Sequence, residues 1–231
     1  MGNGVRRTAL VTGGNRGIGL EACRRLEEAG LRVVLTARDA ALGERAAEQL
    51  QNVVVEQLDV ADPPSVSACA QRLADAGIVV DVLVNNAGIL LDEDVDLLRS
   101  DPAVVEENVQ VHMLGSVRTC IAFVPGMVRR GYGRVVNVVS GWGSWAGGVP
   151  GPAGYALGKA GERAVTVKLA REVRGDVKVN ALDPGWVTTR MGGSAAGRTP
   201  RQAADAILRL ATLPADGPNG EYFSEGRRSA W

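Results

Sequence analysis

Lysine, histidine and aromatic side chains are scarce in this chain. Only Lys159, Lys168 and Lys178 are lysines among 26 basic residues, and His112 is the sole histidine. Aromatic residues make up 4% of the 231 positions. The three cysteines, Cys23, Cys69 and Cys120, lie far apart. Their odd number and wide spacing exclude a disulfide framework, and with one histidine they exclude a Cys/His metal site. A reducing, cytoplasmic setting is expected. Basic and acidic residues balance at 26 each, so no excess of one sign draws the chain to nucleic acid or to a charged membrane surface. No apolar run approaches the roughly 18–20 residues of a membrane span. Met1–Arg7 lacks the apolar core of a signal peptide.

What is present is a regular alternation. Short β-branched runs at Thr8–Thr12, Arg32–Thr36, Val53–Leu58, Asp81–Val84, Arg134–Val139, Val177–Leu182 and Glu221–Phe223 read as strands. Between them, Gly17–Ala29, Ala40–Leu50, Pro63–Ala76, Ala103–Arg130, Ala153–Arg174 and Pro200–Thr212 read as helices, with an interruption expected at Pro125. Near-continuous apolar strands alternating with helices imply an α/β fold: one Rossmann-type, doubly wound parallel sheet with helices on both faces. With no repeat or linker, residues 1–231 read as a single dinucleotide-binding and catalytic domain, with 1–7 as an N-terminal tail. In such sheets ligands bind at the carboxyl ends of the strands.

Chemistry-bearing residues fall at those ends. Gly13, Gly17 and Gly19 follow the first strand and open a helix whose N–H groups suit a pyrophosphate, with Asn15, Arg16 and Ile18 between them. The second strand ends at Ala37, where an acid would favour NAD by bonding the ribose hydroxyls. Arg38 follows instead, and with Arg16 it offers two guanidiniums to a 2′-phosphate. The competing reading is a pair of solvated arginines. The expected cofactor is NADP(H).

Tyr155 and Lys159 are four apart on a predicted helix and share a face. An ammonium beside a phenol favours the phenolate, so the Tyr155 pKa is expected below its usual value near 10. Ser140 lies fifteen residues upstream, after the fifth strand.

Taken with Asn85-Asn86-Ala87-Gly88 and Asp183-Pro184-Gly185, these strings resemble the short-chain dehydrogenase/reductase family, in its carbonyl-reductase-like branch. The resemblance implies that Tyr155 donates a proton to a carbonyl oxygen, Lys159 bonds the cofactor ribose, and Ser140 orients the carbonyl. It implies cofactor contacts from Asp59 and Val60, from Asn86, Ala87 and Gly88, and from Pro184, Gly185, Val187 and Thr189. His112 occupies the position where the family usually carries an Asn that holds a water in a proton path from the Lys. A neutral imidazole, with one donor and one acceptor, can hold a water too; packing is the other reading, and Asn108 one turn earlier is the other candidate. Trp142, Trp145 and Trp186 either wall an aromatic pocket for a bulky apolar carbonyl or pack elsewhere.

The function expected is NADPH-dependent reduction of a ketone or aldehyde. The alternatives are oxidation of a specific secondary alcohol and a non-catalytic NADP-binding scaffold. A homodimer or homotetramer is expected, built on the outer face of the 153–174 helix, because the insertion found before the Tyr in some monomeric relatives is missing. No metal, nucleic-acid or membrane partner is expected.

Overall fold

The computed structural model describes residues 6–231. The expected tail lies outside these residues except for Arg6 and Arg7; Arg7 stacks on the Tyr132 ring. β1 (Thr8–Val11) is four consecutive buried residues, the pattern of a strand covered on both faces. α1 (Gly17–Glu28) leads to β2 (Arg32–Ala37), then α2 (Ala40–Ala47) and β3 (Val53–Gln57). α3 (Pro63–Asp75) has proline in its first turn, where no N–H is needed, and Asp62 as its cap. β4 (Val82–Asn85) precedes α4 (Pro102–Val109) and α5 (Gly115–Arg130), then β5 (Tyr132–Val138), α6 (Ala153–Glu172) and β6 (Asp176–Asp183). α7 (Pro200–Ala211) opens with a Thr199/Gln202 capping box and leads to β7 (Tyr222–Ser224) and β8 (Arg227–Ser229).

The strands form one sheet in the order β3-β2-β1-β4-β5-β6-β7-β8. Neighbours from β3 to β7 pair in parallel. The sheet is not wholly parallel: β8 returns antiparallel on β7. Its sequence, Arg-Arg-Ser, has no apolar run to read as a strand, and the Glu225-Gly226 turn that creates it carries positive φ at both residues. α1, α2 and α7 cover one face around Leu26, Ala46 and Ile207, while α3, α5 and the end of α6 cover the other around Leu73, Phe123, Met127 and Val173.

The long helix is interrupted at a different place from that expected. α5 runs through Pro125, because the carbonyl that loses its partner belongs to Ile121, which is 70% exposed. The break is instead a π-helical turn, Gln110–Leu114, centred on His112. Over Pro102–Arg130 this helix is also long and apolar enough to cross a membrane by length and composition. That apolar character is used within the fold, where Cys120, Phe123, Val124 and Met127 pack in the core.

Candidate active site

The direction of the strand connections reverses between β1 and β4, which leaves an opening at the carboxyl ends of the strands, where the residues after β1, β4, β5 and β6 lie. Thr12 ties two of these ends together. Its hydroxyl accepts the Asn86 and Ala87 N–H groups, each at 2.9 Å, while Asn86 Nδ2 donates to the Thr12 carbonyl at 2.9 Å. Gly19 packs so closely on this turn that a Cβ there would sit 2.2 Å from the Gly13 carbonyl oxygen. Gly17 has φ +54 and faces Thr189 across the opening. α1 starts at this opening with no side-chain cap, whereas its neighbours α2 and α3 are capped by Asp39 and Asp62. Its first-turn N–H groups are thereby left to an anion, and the residues present fit a dinucleotide pyrophosphate.

Asp39 is the acid closest to the end of β2, and its carboxylate is committed to the N–H groups of Ala41 and Leu42. Arg16 and Arg38 are exposed at the mouth. Partial desolvation, followed by the like charges of Arg190 and Arg38, lowers the Arg16 pKa. Arg190 is the third cation of this group. The sequence reading missed it, although it directly follows Thr189.

Other expected cofactor contacts are partly engaged within the chain. The Asp59 carboxylate accepts from Ala61 N at 2.9 Å, closing its own turn. Gly185, after Pro184, has φ +77 and donates to Asp183 Oδ1 at 2.9 Å. Val187 is buried in a bridge to Arg198, and the Thr189 hydroxyl accepts from Gly192 N. Gly88 abuts the His112 ring.

Tyr155, Lys159 and Ser140 converge. The Tyr155 phenol faces Ser140, whose hydroxyl accepts from Trp142 N at 3.2 Å, and its ring is held edge-on between His112, at 5.0 Å, and Trp142, at 5.8 Å. The Tyr155 pKa lies above its usual value, the reverse of the direction expected from the Lys spacing. Burial penalises the phenolate more than Lys159 and Ser140 favour it, and the negative charges of Glu162 and Asp183 add to the rise. Lys159 Nζ donates to the Val138 carbonyl at 2.6 Å and to Glu162 Oε2 at 2.9 Å.

His112 is buried. Its Nε2 lies 2.8 Å from the Ile89 carbonyl oxygen, so Nε2 carries the proton and donates. Nδ1 is the acceptor, and no described residue partners it. Burial, then the Lys159 charge, holds the His112 pKa well below its usual value, so the ring is neutral. Asn108 Nδ2 donates to the Val104 carbonyl and to Asp92, while its buried Oδ1, like His112 Nδ1, has no partner among the described residues. Asp92 is buried and accepts from the N–H groups of Gly154 and Tyr155, capping α6 from a distant loop. Neither Asp92 nor Glu162 was marked by the sequence: Asp92 reaches α6 from a distant loop, whereas the i,i+3 spacing of Glu162 from Lys159 was there to be read.

The three tryptophans separate. Trp142 borders Tyr155, and Trp186 is 60% exposed with its Nε1 donating to Gly192. Trp145 stacks on Trp231 and is part of the packing there.

The signature of the short chain dehydrogenase family matches residues 7–198. The human protein named carbonyl reductase [NADPH] 1 is 32% identical to the chain, with 100% of each covered. The (+)-neomenthol dehydrogenase of Arabidopsis thaliana is 31% identical, over 97% of this chain and 98% of that one. An NADPH-bound carbonyl reductase from chicken fatty liver superimposes with a TM-score of 0.84 at 27% identity, over 98% of this chain and 100% of that one.

Proposed function

The chain belongs to the short-chain dehydrogenase/reductase family, and from that premise we propose that it is an NADPH-dependent reductase of ketones or aldehydes acting reversibly on one CH–OH/C=O group. The observation that carries this reading is the convergence of Tyr155, Ser140 and Lys159 beside a glycine turn with an uncapped helix N-terminus. The cofactor would be held by Gly13, Asn15, Arg16, Gly17, Ile18 and Gly19, by Arg38, Asp59 and Val60, by Asn86, Ala87 and Gly88, and by Pro184, Gly185, Val187 and Thr189. NADPH, when bound, supplies the hydride.

The chain's own groups handle the proton. Tyr155 is the acid that protonates the carbonyl oxygen, and Ser140 bonds that oxygen and stabilises its developing charge. Lys159 offsets the phenolate left on Tyr155. Two of its three N–H donors are engaged by Val138 and Glu162, which leaves one for the cofactor ribose. Burial of this centre strengthens each of these contacts. Trp142, which borders Tyr155, gives the site an aromatic wall that suits bulky apolar carbonyls. Steady-state NADPH oxidation against aliphatic, aryl and cyclic ketones tests the reading; no turnover of any of them would overturn it.

The raised Tyr155 pKa sets a pH dependence. The phenol stays protonated through neutral pH, so kcat/KM for reduction should be flat there and fall only as Tyr155 ionises at alkaline pH. Alcohol oxidation needs the phenolate and should rise toward alkaline pH. Opposite slopes for the two directions are the expected result; parallel slopes would remove Tyr155 as the titrating group.

His112 is read as a substitute for the family's Asn, holding a water through Nδ1. His112→Asn should retain most of kcat. His112→Ala should lose about tenfold, the size of one hydrogen-bonded contact of about 1–1.5 kcal/mol. Measurement with one good ketone and saturating NADPH decides this, and an Ala variant as fast as the parent reduces His112 to packing.

Residues 1–231 are read as one domain, supported by the single sheet. A homodimer or homotetramer is supported by the apolar face along α5 and α6 around Ile121, Val165 and Leu169, and light scattering of the purified chain checks it. A cytoplasmic setting is supported by three free, buried cysteines; burial raises all three thiol pKa values, that of Cys69 to about 11. Detection of a disulfide in the chain isolated from its source would count against that setting.

A further inference from the structure

Glu162 is a buried acid in direct contact with the proton-handling lysine. It is 1% exposed, lies one turn beyond Lys159 on α6, and both of its oxygens are bonded. Oε2 accepts from Lys159 Nζ at 2.9 Å, and Oε1 accepts from the Ser116 hydroxyl at 2.7 Å. Ser116 is itself buried and lies in the first turn of α5, directly after the π-helical turn that presents His112. Burying a carboxylate is costly unless it is paired and hydrogen-bonded. A pair of well-packed apolar residues would serve packing alone at least as well, so stability is a weak account of this placement.

The surrounding groups show what the carboxylate acts on. Facing Tyr155 and Lys159 are Glu162 on the same helix, Ser140 after β5, Asp183 at the end of β6, and His112 on the π-helical turn, with Asp92 at the N-terminus of α6. Arg163 lies on the far side, where it donates to the Ser140 carbonyl and stacks on Tyr222. His112 is neutral, so Glu162 is the group that answers the Lys159 charge at contact distance. We propose that Glu162 is a positioning residue for the Tyr155–Lys159 pair: it anchors the ammonium against Val138 and offsets its charge, and so sets how strongly that ammonium favours the phenolate.

This rests on Tyr155 being the acid of the proposed reduction. Its direction follows from charge. With Glu162 ionised, Lys159 favours the phenolate less than a lone ammonium would. Glu162→Gln preserves shape and can bond both neighbours, with its Oε1 accepting from Lys159 and its Nε2 donating to the Ser116 oxygen. It removes only the charge.

The experiment compares the alkaline-rising limb of kcat/KM for alcohol oxidation in the parent and in Glu162→Gln. It also compares the phenolate absorbance titration of each, isolated by subtracting the same titration of a Tyr155→Phe counterpart. The expected result is a shift of the Tyr155 inflection to lower pH by about one unit, at the low end of what a close charge produces. Coincident inflections, or a shift to higher pH, would overturn the proposal. A uniform loss of kcat without movement of the inflection would also overturn it, because that is the signature of packing alone. The absorbance titration needs no turnover, so a shifted phenol in a chain that reduces no carbonyl would sink the reading of the reaction and leave the coupling standing. If Glu162→Gln does not fold, Glu162→Met removes the charge at similar volume, and a shift in the same direction is expected; its absence would count against the proposal equally.

Discussion

Tyr155→Phe should lower ketone turnover by about 10²–10⁴-fold, the usual contribution of a positioned general acid, or about 3–5 kcal/mol of barrier. NADPH binding should stay within about tenfold of the parent, since one hydrogen-bonding contact of about 0.5–1.5 kcal/mol at most is lost with the hydroxyl. The phenyl ring has the same neighbours to pack on, His112 and Trp142, each edge-on. The hydroxyl that faces Ser140 is all that disappears. Single-turnover rates with saturating NADPH, together with a fluorescence titration of the cofactor, separate chemistry from binding. Activity within a few-fold of the parent would take Tyr155 out of the mechanism.

The second large effect is expected at the cofactor mouth. Replacing both Arg16 and Arg38 by Ala should cut the preference for NADPH over NADH by tenfold or more, because each charge-assisted phosphate contact is worth about 1.5–3 kcal/mol. The loss should fall on KM for NADPH and leave NADH nearly untouched. Asp39 gives this prediction its sharpness: its carboxylate is fixed on the α2 N-terminus and is not directed to the ribose hydroxyls. Arg190 shares the same field as Arg16 and can retain part of the preference, so a triple variant sets the floor. If the double variant discriminates as the parent does, the end of β2 does not choose the cofactor.

Most of the frame was legible because it is written in short-range patterns. Uninterrupted apolar runs such as Thr8–Val11 can only be strands buried on both sides. The 13/17/19 glycines and the Tyr155/Lys159 pair each sit within one turn. What escaped is long-range. Asp92 reaches α6 across 62 residues, and Ser116 reaches Glu162 across 46. The pKa of Tyr155 went the other way because burial outweighs one neighbouring charge, and burial is a property of the assembled fold. Trp142 and Trp145 differ by three positions, yet one borders Tyr155 and the other stacks on Trp231. Spacing alone has no means to tell them apart.

The π-helical turn at Gln110–Leu114 also bears on how this chain tolerates insertions and deletions. One extra residue in a regular helix produces such a turn, and one fewer restores the regular form. Each residue of an α-helix advances by about 100° around the axis. The π-helical turn takes up the surplus residue, so removing one residue from this segment would relax it to regular helix and leave α4 and α5 in phase, with Asn108 still on the Asp92 loop and Ser116 still beside Glu162. What would be lost is the wider turn that presents His112. A deletion elsewhere in α4 or α5 has no such turn to absorb it and would rotate one half of the site against the other by about 100°.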